Sequence, residues 1–157
     1  MIAAVGLGSN LGDREANLNA AVERLGELGE VVGVSGFHDT EPVGFVEQPR
    51  FLNAAALVET EMGAGDLMRA LLQIELDMGR DRTATVAKGP RVIDLDLLLF
   101  GDAVVSEAGV EVPHPAMHER GFVLAPLSEI AGGMVHPVRK KTVAEMLGDL
   151  GVGEGQG

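Results

Sequence analysis

The chain contains no cysteine, no tryptophan and no tyrosine among its 157 residues. The first absence excludes disulfides and thiolate chemistry, and makes the cytosol the expected compartment. The missing aromatics, with only five phenylalanines, remove the stacking platforms that single-strand nucleic-acid binders use. Base is scarce as well. Twelve Lys+Arg against 24 Asp+Glu give a formal net charge of −12, which argues against nonspecific binding to nucleic acid or an anionic membrane. No apolar run reaches the roughly 18 residues that span a bilayer. The opening Met1-Ile2-Ala3-Ala4-Val5 lacks the positive n-region of a signal peptide, so none is expected. No GxxxxGK[ST] occurs, which excludes a P-loop. Gly6-Leu7-Gly8-Ser9-Asn10-Leu11-Gly12 misses the dinucleotide fingerprint, because leucine stands at 11 where glycine is required. That segment reads instead as a tight turn into a helix.

The 46% hydrophobic content supports a folded core in a chain of ordinary domain size. A single domain is expected over 1–150, with the glycine-rich tail 151–157 loose. Periodicity predicts a strand over 2–8, then a helix over about 13–28 capped by Asn10 or Asp13, with Leu18, Ala21, Val22, Leu25 and Leu28 at helical spacing. A second strand follows over 31–37, then a loop holding Pro42, Gly44 and Pro49. From 51 to 62 the pattern alternates: Leu52, Ala54, Ala56, Val58 and Met62 on one side, Phe51, Asn53, Ala55 and Leu57 on the other. A helix over about 66–78 carries the stripe Leu67, Leu71, Ile74 and Met78, and Gly79 stops it. A loop over 79–91, a strand over 92–100, a helix beginning near 119–122 and a last helix over 142–150 complete the chain. The order strand, helix, strand, strand, helix, strand is the ferredoxin-like pattern of an α+β fold, an antiparallel sheet with helices packed on one face.

Inside the run Val92-Ile93-Asp94-Leu95-Asp96-Leu97-Leu98-Leu99-Phe100 stand two aspartates one residue apart. On a strand they point the same way, roughly 6.5–7 Å apart, with Ile93, Leu95, Leu97 and Leu99 expected in the opposite layer. Two neighbouring carboxylates repel and resist desolvation unless cations offset them. The spacing suits one or two Mg²⁺, which take few carboxylates and keep room for water and phosphate. Taken alone, the pair fits a solvated edge face better. Its surroundings add weight. Arg80, Arg82, Lys88 and Arg91 gather just upstream, whereas Val92 to Glu119 contains no Lys or Arg. Arginine forks match phosphate oxygens, so a phosphate clamp competes here with simple loop-to-strand salt bridging. Downstream, Pro113 and Pro115 hold His114 in extended or turn backbone, from which an imidazole could donate to a phosphate. His38, His118 and His136 have no comparable setting.

The string Gly89-Pro90-Arg91-Val92-Ile93-Asp94-Leu95-Asp96-Leu97-Leu98-Leu99-Phe100-Gly101, followed by Val112-Pro113-His114 and Arg120-Gly121-Phe122, closely resembles the 6-hydroxymethyl-7,8-dihydropterin pyrophosphokinase family of folate biosynthesis. Gly8-Ser9-Asn10-Leu11-Gly12, Thr40-Glu41-Pro42-Val43-Gly44, Gln48-Pro49-Arg50-Phe51-Leu52-Asn53 and Ile74-Glu75-Leu76 extend the likeness over roughly residues 2–137 in the family's order.

The resemblance implies transfer of the terminal diphosphate of ATP to the hydroxymethyl group of 6-hydroxymethyl-7,8-dihydropterin, with release of AMP. It implies that Asp94 and Asp96 hold two Mg²⁺, and that Asp94 also orients the pterin hydroxyl. Arg80 and Arg91 would neutralise the moving diphosphate, and His114 would bond a phosphate oxygen on the leaving side. Glu75, Arg82, Leu97 and Arg120 would border the nucleotide. Phe51 and Phe122 would stack on the pterin, with Asn53, Thr40, Pro42 and Val43 reading its edge. ATP and the pterin are the expected partners, with no nucleic acid, no membrane and a monomeric state. Lys88 and Pro115 depart from residues that some members carry there, and the 79–91 loop is the expected lid. Two other readings compete: a noncatalytic ferredoxin-like binding module, and a different Mg²⁺-dependent nucleotide enzyme such as a phosphohydrolase.

Overall fold

The computed structural model describes residues 1–40, 50–79 and 91–151. Pro42, Val43, Arg80, Arg82 and Lys88, most of the expected lid and the tail beyond 151 lie outside the described residues.

Strand β1 (Ile2–Ser9) leads into helix α1 (Arg14–Leu25). Of the two candidate caps, Asp13 does the capping: its Oδ1 accepts the Ala16 N–H at 3.1 Å. The helix stops at Leu25, one turn before the expected end. Gly26 donates back to Val22 and Glu23, and Gly29 then passes so close to the chain at Glu59 that a Cβ on it would lie 2.2 Å from the Glu59 carbonyl oxygen. The expected strand over 31–37 is cut short as β2 (Glu30–Val34), and a separate β3 (His38–Thr40), split off from it, forms where a loop was expected; both pair with β4 (Phe51–Glu59). Ser35 causes the split. Its N–H donates to the Ala55 carbonyl while its hydroxyl accepts the Ala55 N–H and donates to Gly36 O, so a side chain replaces a rung of the ladder. Helix α2 (Ala64–Asp77) follows, then β5 (Asp94–Phe100).

The main sheet runs β2-β4-β1-β5, antiparallel throughout, with β3 added on β4. This is the strand order of the ferredoxin-like pattern. Helices α1 and α2 cover one face, where Leu18, Leu25, Leu67, Leu71 and Ile74 meet Val5, Leu7, Ala56, Val58, Leu95 and Leu97. The β4 alternation follows the expected split, with Ala54, Ala56 and Val58 on this side and Ala55 on the other. The rest of the chain builds on the opposite face. A hairpin of β6 (Val105–Glu107) and β7 (Val110–Val112) leads through a 3-10 turn (Met117–Glu119) to α3 (Gly121–Ala131). The short pair β8 (Val135–His136) and β9 (Lys141–Thr142) then leads to α4 (Val143–Asp149). Thr142 and Glu145 form a reciprocal capping box on α4. Leu124, Leu127, Val143 and Met146 pack over Ala4, Ala55, Leu98 and Leu99, and cover only one end of that face. No helix of the described residues is long and apolar enough to cross a membrane.

Leu99 departs from the expected layer. Ala4 pairs with Leu99 but Val5 with Leu97, so Leu98 is an extra residue, a β-bulge. The bulge turns Leu98 and Leu99 together under α3 and α4 and returns Phe100 to the α1/α2 side. The Leu98 carbonyl also accepts the His114 N–H at 2.9 Å. The irregularity that breaks the alternation therefore anchors the histidine loop.

Candidate active site

Where α3 and α4 end, strands β4, β1 and β5 are left bare and their register lays out the floor of a cleft. Gly8 lies opposite Asn53 on one side and Asp94 on the other; two residues along, Gly6 lies opposite Ala55 and Asp96. Both glycines sit within β1, as the expected strand over 2–8 has them, and the turn into the helix begins beyond Ser9 and contains Gly12 at φ +74°. Their role here is to be small. A Cβ on Gly8 would stand 2.9 Å from Asn53 Oδ1 and 3.5 Å from the Phe51 ring, and one on Gly6 would press on Leu98 at 3.4 Å. The resulting cavity is about 690 Å³, within the range of ligand clefts.

The cavity has two halves meeting at the aspartates. On the β4 side its walls are Phe51, Asn53, Thr40 and Phe122. Asn53 is buried, and its amide donates to the Thr40 hydroxyl at 2.5 Å, which fixes one wall of a flat slot. On the β5 side the wall is Met68, Leu72 and Glu75 from α2 with Leu97 and Val110. Glu75 is 1% exposed, and one of its carboxylate oxygens accepts the Leu95 N–H at 2.7 Å, tying α2 to the strand that bears the aspartates. Arg91, His114 and Arg120 approach from the rim. Every expected site residue that is described lies on this one cavity.

Asp96 feels its surroundings most. Burial, then the negative charge of Asp94, push its carboxyl up to about 7, against the pull of Arg120 and Arg91 and with a further push from Glu75. Arg91 reaches Asp94 Oδ1 through Nη1 at 3.3 Å. Burial lowers the His114 ring below the ordinary histidine value and nearby Arg120 adds to this, while Asp94 and Glu111 oppose it. Its Nδ1 accepts the Ala116 N–H at 3.1 Å, so the proton of the neutral ring sits on Nε2, a donor. The Arg120 guanidinium stands over Phe122, 5.8 Å from the ring centroid.

Met68, Leu72 and Val110 were not anticipated. Met68 and Leu72 lie four apart on α2, one position beyond Leu67 and Leu71, so the apolar stripe is wider than the core alone requires. That extra width was a signal available in the sequence. Glu107 and Glu111, on the hairpin rim, had none.

The model of the 7,8-dihydro-6-hydroxymethylpterin-pyrophosphokinase family matches residues 4–132. The chain belongs to this family. It is 45% identical over 131 residues to 2-amino-4-hydroxy-6-hydroxymethyldihydropteridine pyrophosphokinase of Bacillus subtilis, covering 82% of this chain and 77% of that one. With the same enzyme of Methylorubrum extorquens it shares 43% identity over 148 residues, 93% of this chain and 91% of that one. The folic acid synthesis protein fol1 of Schizosaccharomyces pombe is 38% identical over 95% of this chain, yet the chain spans only 20% of that protein. Among solved structures, the HPPK-DHPS protein of Plasmodium falciparum superposes with a TM-score of 0.71 at 14% identity, over 94% of this chain and 44% of that one. At that identity the likeness concerns the fold. The family's fold is thus carried here by the β1-β4-β5 floor and the two helices beneath it.

Proposed function

We propose that this chain transfers the terminal diphosphate of ATP to the hydroxymethyl oxygen of 6-hydroxymethyl-7,8-dihydropterin and releases AMP. The observation that carries this reading is the single cavity in which the aspartate pair separates an aromatic, amide-lined slot from an apolar one. The B. subtilis and M. extorquens relatives, which the chain nearly spans, support it by name.

Each residue then has a task. The flat pterin lies between Phe51 and Phe122, with Asn53, Thr40 and, outside the described residues, Pro42 and Val43 reading its edge. Asp94, at the junction of the halves, accepts a hydrogen bond from the hydroxymethyl group and aims its oxygen at the β-phosphorus. A bond forms between that oxygen and the β-phosphorus while the α–β bridge breaks. AMP departs with the bridging oxygen, and the hydroxyl proton is released. Negative charge grows on the bridge and on the oxygens of the moving group, so fixed donors there do most of the work. Arg91, with Arg80, neutralises the diphosphate, and His114 Nε2–H donates to an oxygen on the leaving side. Glu75, Leu97, Arg120 and Arg82 border the nucleotide.

The donor set fits a hard divalent cation. Asp94 and Asp96 share a face, and Asp96 is pushed toward neutrality by burial beside Asp94, a cost that a cation offsets. A pair of carboxylates leaves room for the water and phosphate that Mg²⁺ keeps in its shell. Two Mg²⁺ held by this pair would supply charge neutralisation to the polyphosphate. We place the reaction in the cytosol, as the lack of cysteine favours, on a monomer, and without nucleic acid, which the charge of −12 disfavours.

The test is AMP formation from ATP and Mg²⁺ with and without the pterin. Pterin-dependent AMP is expected. Release of phosphate or diphosphate without pterin would instead favour a phosphohydrolase, and no turnover would favour a binding module.

A further inference from the structure

Asn10 belongs to the glycine-rich segment that fails as a dinucleotide motif, yet it is only 1% exposed. A turn amide is seldom buried without a task. Its Oδ1 accepts the Arg91 N–H at 2.7 Å, and its own N–H donates to the Arg91 carbonyl at 3.0 Å. Both backbone groups of one distant residue are thus held by one asparagine. The turn that presents it is itself fastened. Asn17 Nδ2 on α1 donates to Ser9 Oγ at 3.1 Å and to the Leu11 carbonyl at 2.8 Å.

Arg91 needs such a hold. It stands three residues before Asp94, at the end of the loop and ahead of β5, where no ladder fixes its backbone. Its Nη1 reaches Asp94 at 3.3 Å, and its Nε is buried with no hydrogen-bond acceptor among the described residues. A guanidinium is useful only where its fork is aimed, and a displacement of about 1 Å in a catalytic group can cost about 100-fold in rate.

We propose that Asn10 is a positioning residue for Arg91, gripping its backbone so that the guanidinium lies beside the aspartate pair before substrate arrives. The inference rests on the reading above, in which Arg91 neutralises the diphosphate. Asn10 touches no reacting atom itself. It gives the Gly8–Gly12 segment a task that neither a phosphate-cradling loop nor a plain turn would need.

The experiment compares the native chain with Asn10→Ala, Arg91→Ala and the double variant in the AMP assay, with thermal unfolding alongside. Asn10→Ala is expected to lower kcat about 10- to 100-fold with the pterin KM within about twofold of native. The double variant should be no slower than Arg91→Ala alone, because one effect runs through the other. Asn10→Asp, which keeps an oxygen opposite the Arg91 N–H, should recover most of the lost kcat. Additive losses, a raised pterin KM at unchanged kcat, or an Asp variant as slow as the Ala variant would overturn the proposal. Should Asn10→Ala fail to fold, Asn10→Ser, which stays polar but withdraws the oxygen, takes its place with the same outcomes. A native chain that makes no AMP would remove the reaction itself; an active one with additive losses would remove only the role of Asn10.

Discussion

Beneath α1 and α2 the central strands present Val5, Leu7, Ala56, Val58, Leu95 and Leu97, none more than 4% exposed. On their other side, past the reach of α3 and α4, the same three strands present Gly6, Gly8, Asn53, Asp94 and Asp96. The first face stabilises by removing apolar area from water, at roughly 25 cal/mol per Å². The second works against stability, since two carboxylates are brought together and one of them is largely desolvated. Strand alternation permits this division, because one strand can serve a dry core and a charged floor at once. Proteins often hold such locally unfavourable groups at sites of chemistry, with the rest of the fold compensating.

The largest expected effect comes from removing a carboxylate from the floor. If the pair holds cations as proposed, Asp96→Asn should lower kcat about 1,000-fold or more, since the negative charge offered to them is halved. In chelator, where no Mg²⁺ offsets the repulsion, the same variant should unfold at equal or higher urea than the native chain. A native-like turnover would end the metal assignment. A clear drop in the urea midpoint would erase the contrast between the faces, because Asp96 would then belong with the groups that hold the fold together.

A smaller effect is expected at the glycine between the halves. In Gly8→Ala the new methyl would stand 2.9 Å from Asn53 Oδ1, so the amide must give way. Overpacking of this kind costs about 1–3 kcal/mol, which as lost pterin affinity is about 5- to 150-fold. Nucleotide affinity, which the proposed arrangement places on the far side of the aspartates, should stay within about twofold. Titration with pterin and with a nonhydrolysable ATP analogue separates the two. Equal losses of both would mean that the cavity is not divided as its lining indicates.

Much of this was readable from residue order because it is governed by short-range rules. The alternation of β4, the aspartate spacing and the stripes of α1 and α2 each express one period of the backbone. The family resemblance supplied residue roles that no periodicity contains. What escaped depends on partners distant in sequence. The break after Val34 is made by the Ser35 hydroxyl binding β4. The misplaced Leu99 follows from a bulge that exists only in the pairing of β5 with β1. The need for small residues at Gly6 and Gly8 became legible only when Leu98 and Asn53 were seen beside them. The same holds for Asn10, whose neighbour in space lies 81 positions along the chain.

The smallest effect tests the border between the covered and open parts of the second face. Glu129 on α3 accepts the Gly36 N–H at 2.8 Å and meets His38 Nε2 at 2.6 Å, linking the helix that begins beside Phe122 to the strand that ends in Thr40. The Gly36 N–H first, and then His38, hold the Glu129 carboxyl below the ordinary glutamate range, with slight burial opposing them. A carboxyl lowered by folding contributes stability above its unfolded value, and that contribution is lost as pH falls through the folded value. Glu129→Gln should therefore lower unfolding stability near neutral pH, and the difference from the native chain should shrink to nothing in acid. With 43% of the side chain exposed, solvent screening limits the difference to about 1 kcal/mol or less. Urea unfolding of both proteins across the acid range gives the answer. A difference that persists below the range where carboxylates titrate would show that Glu129 acts through packing, and that its tie between α3 and β3 is not electrostatic.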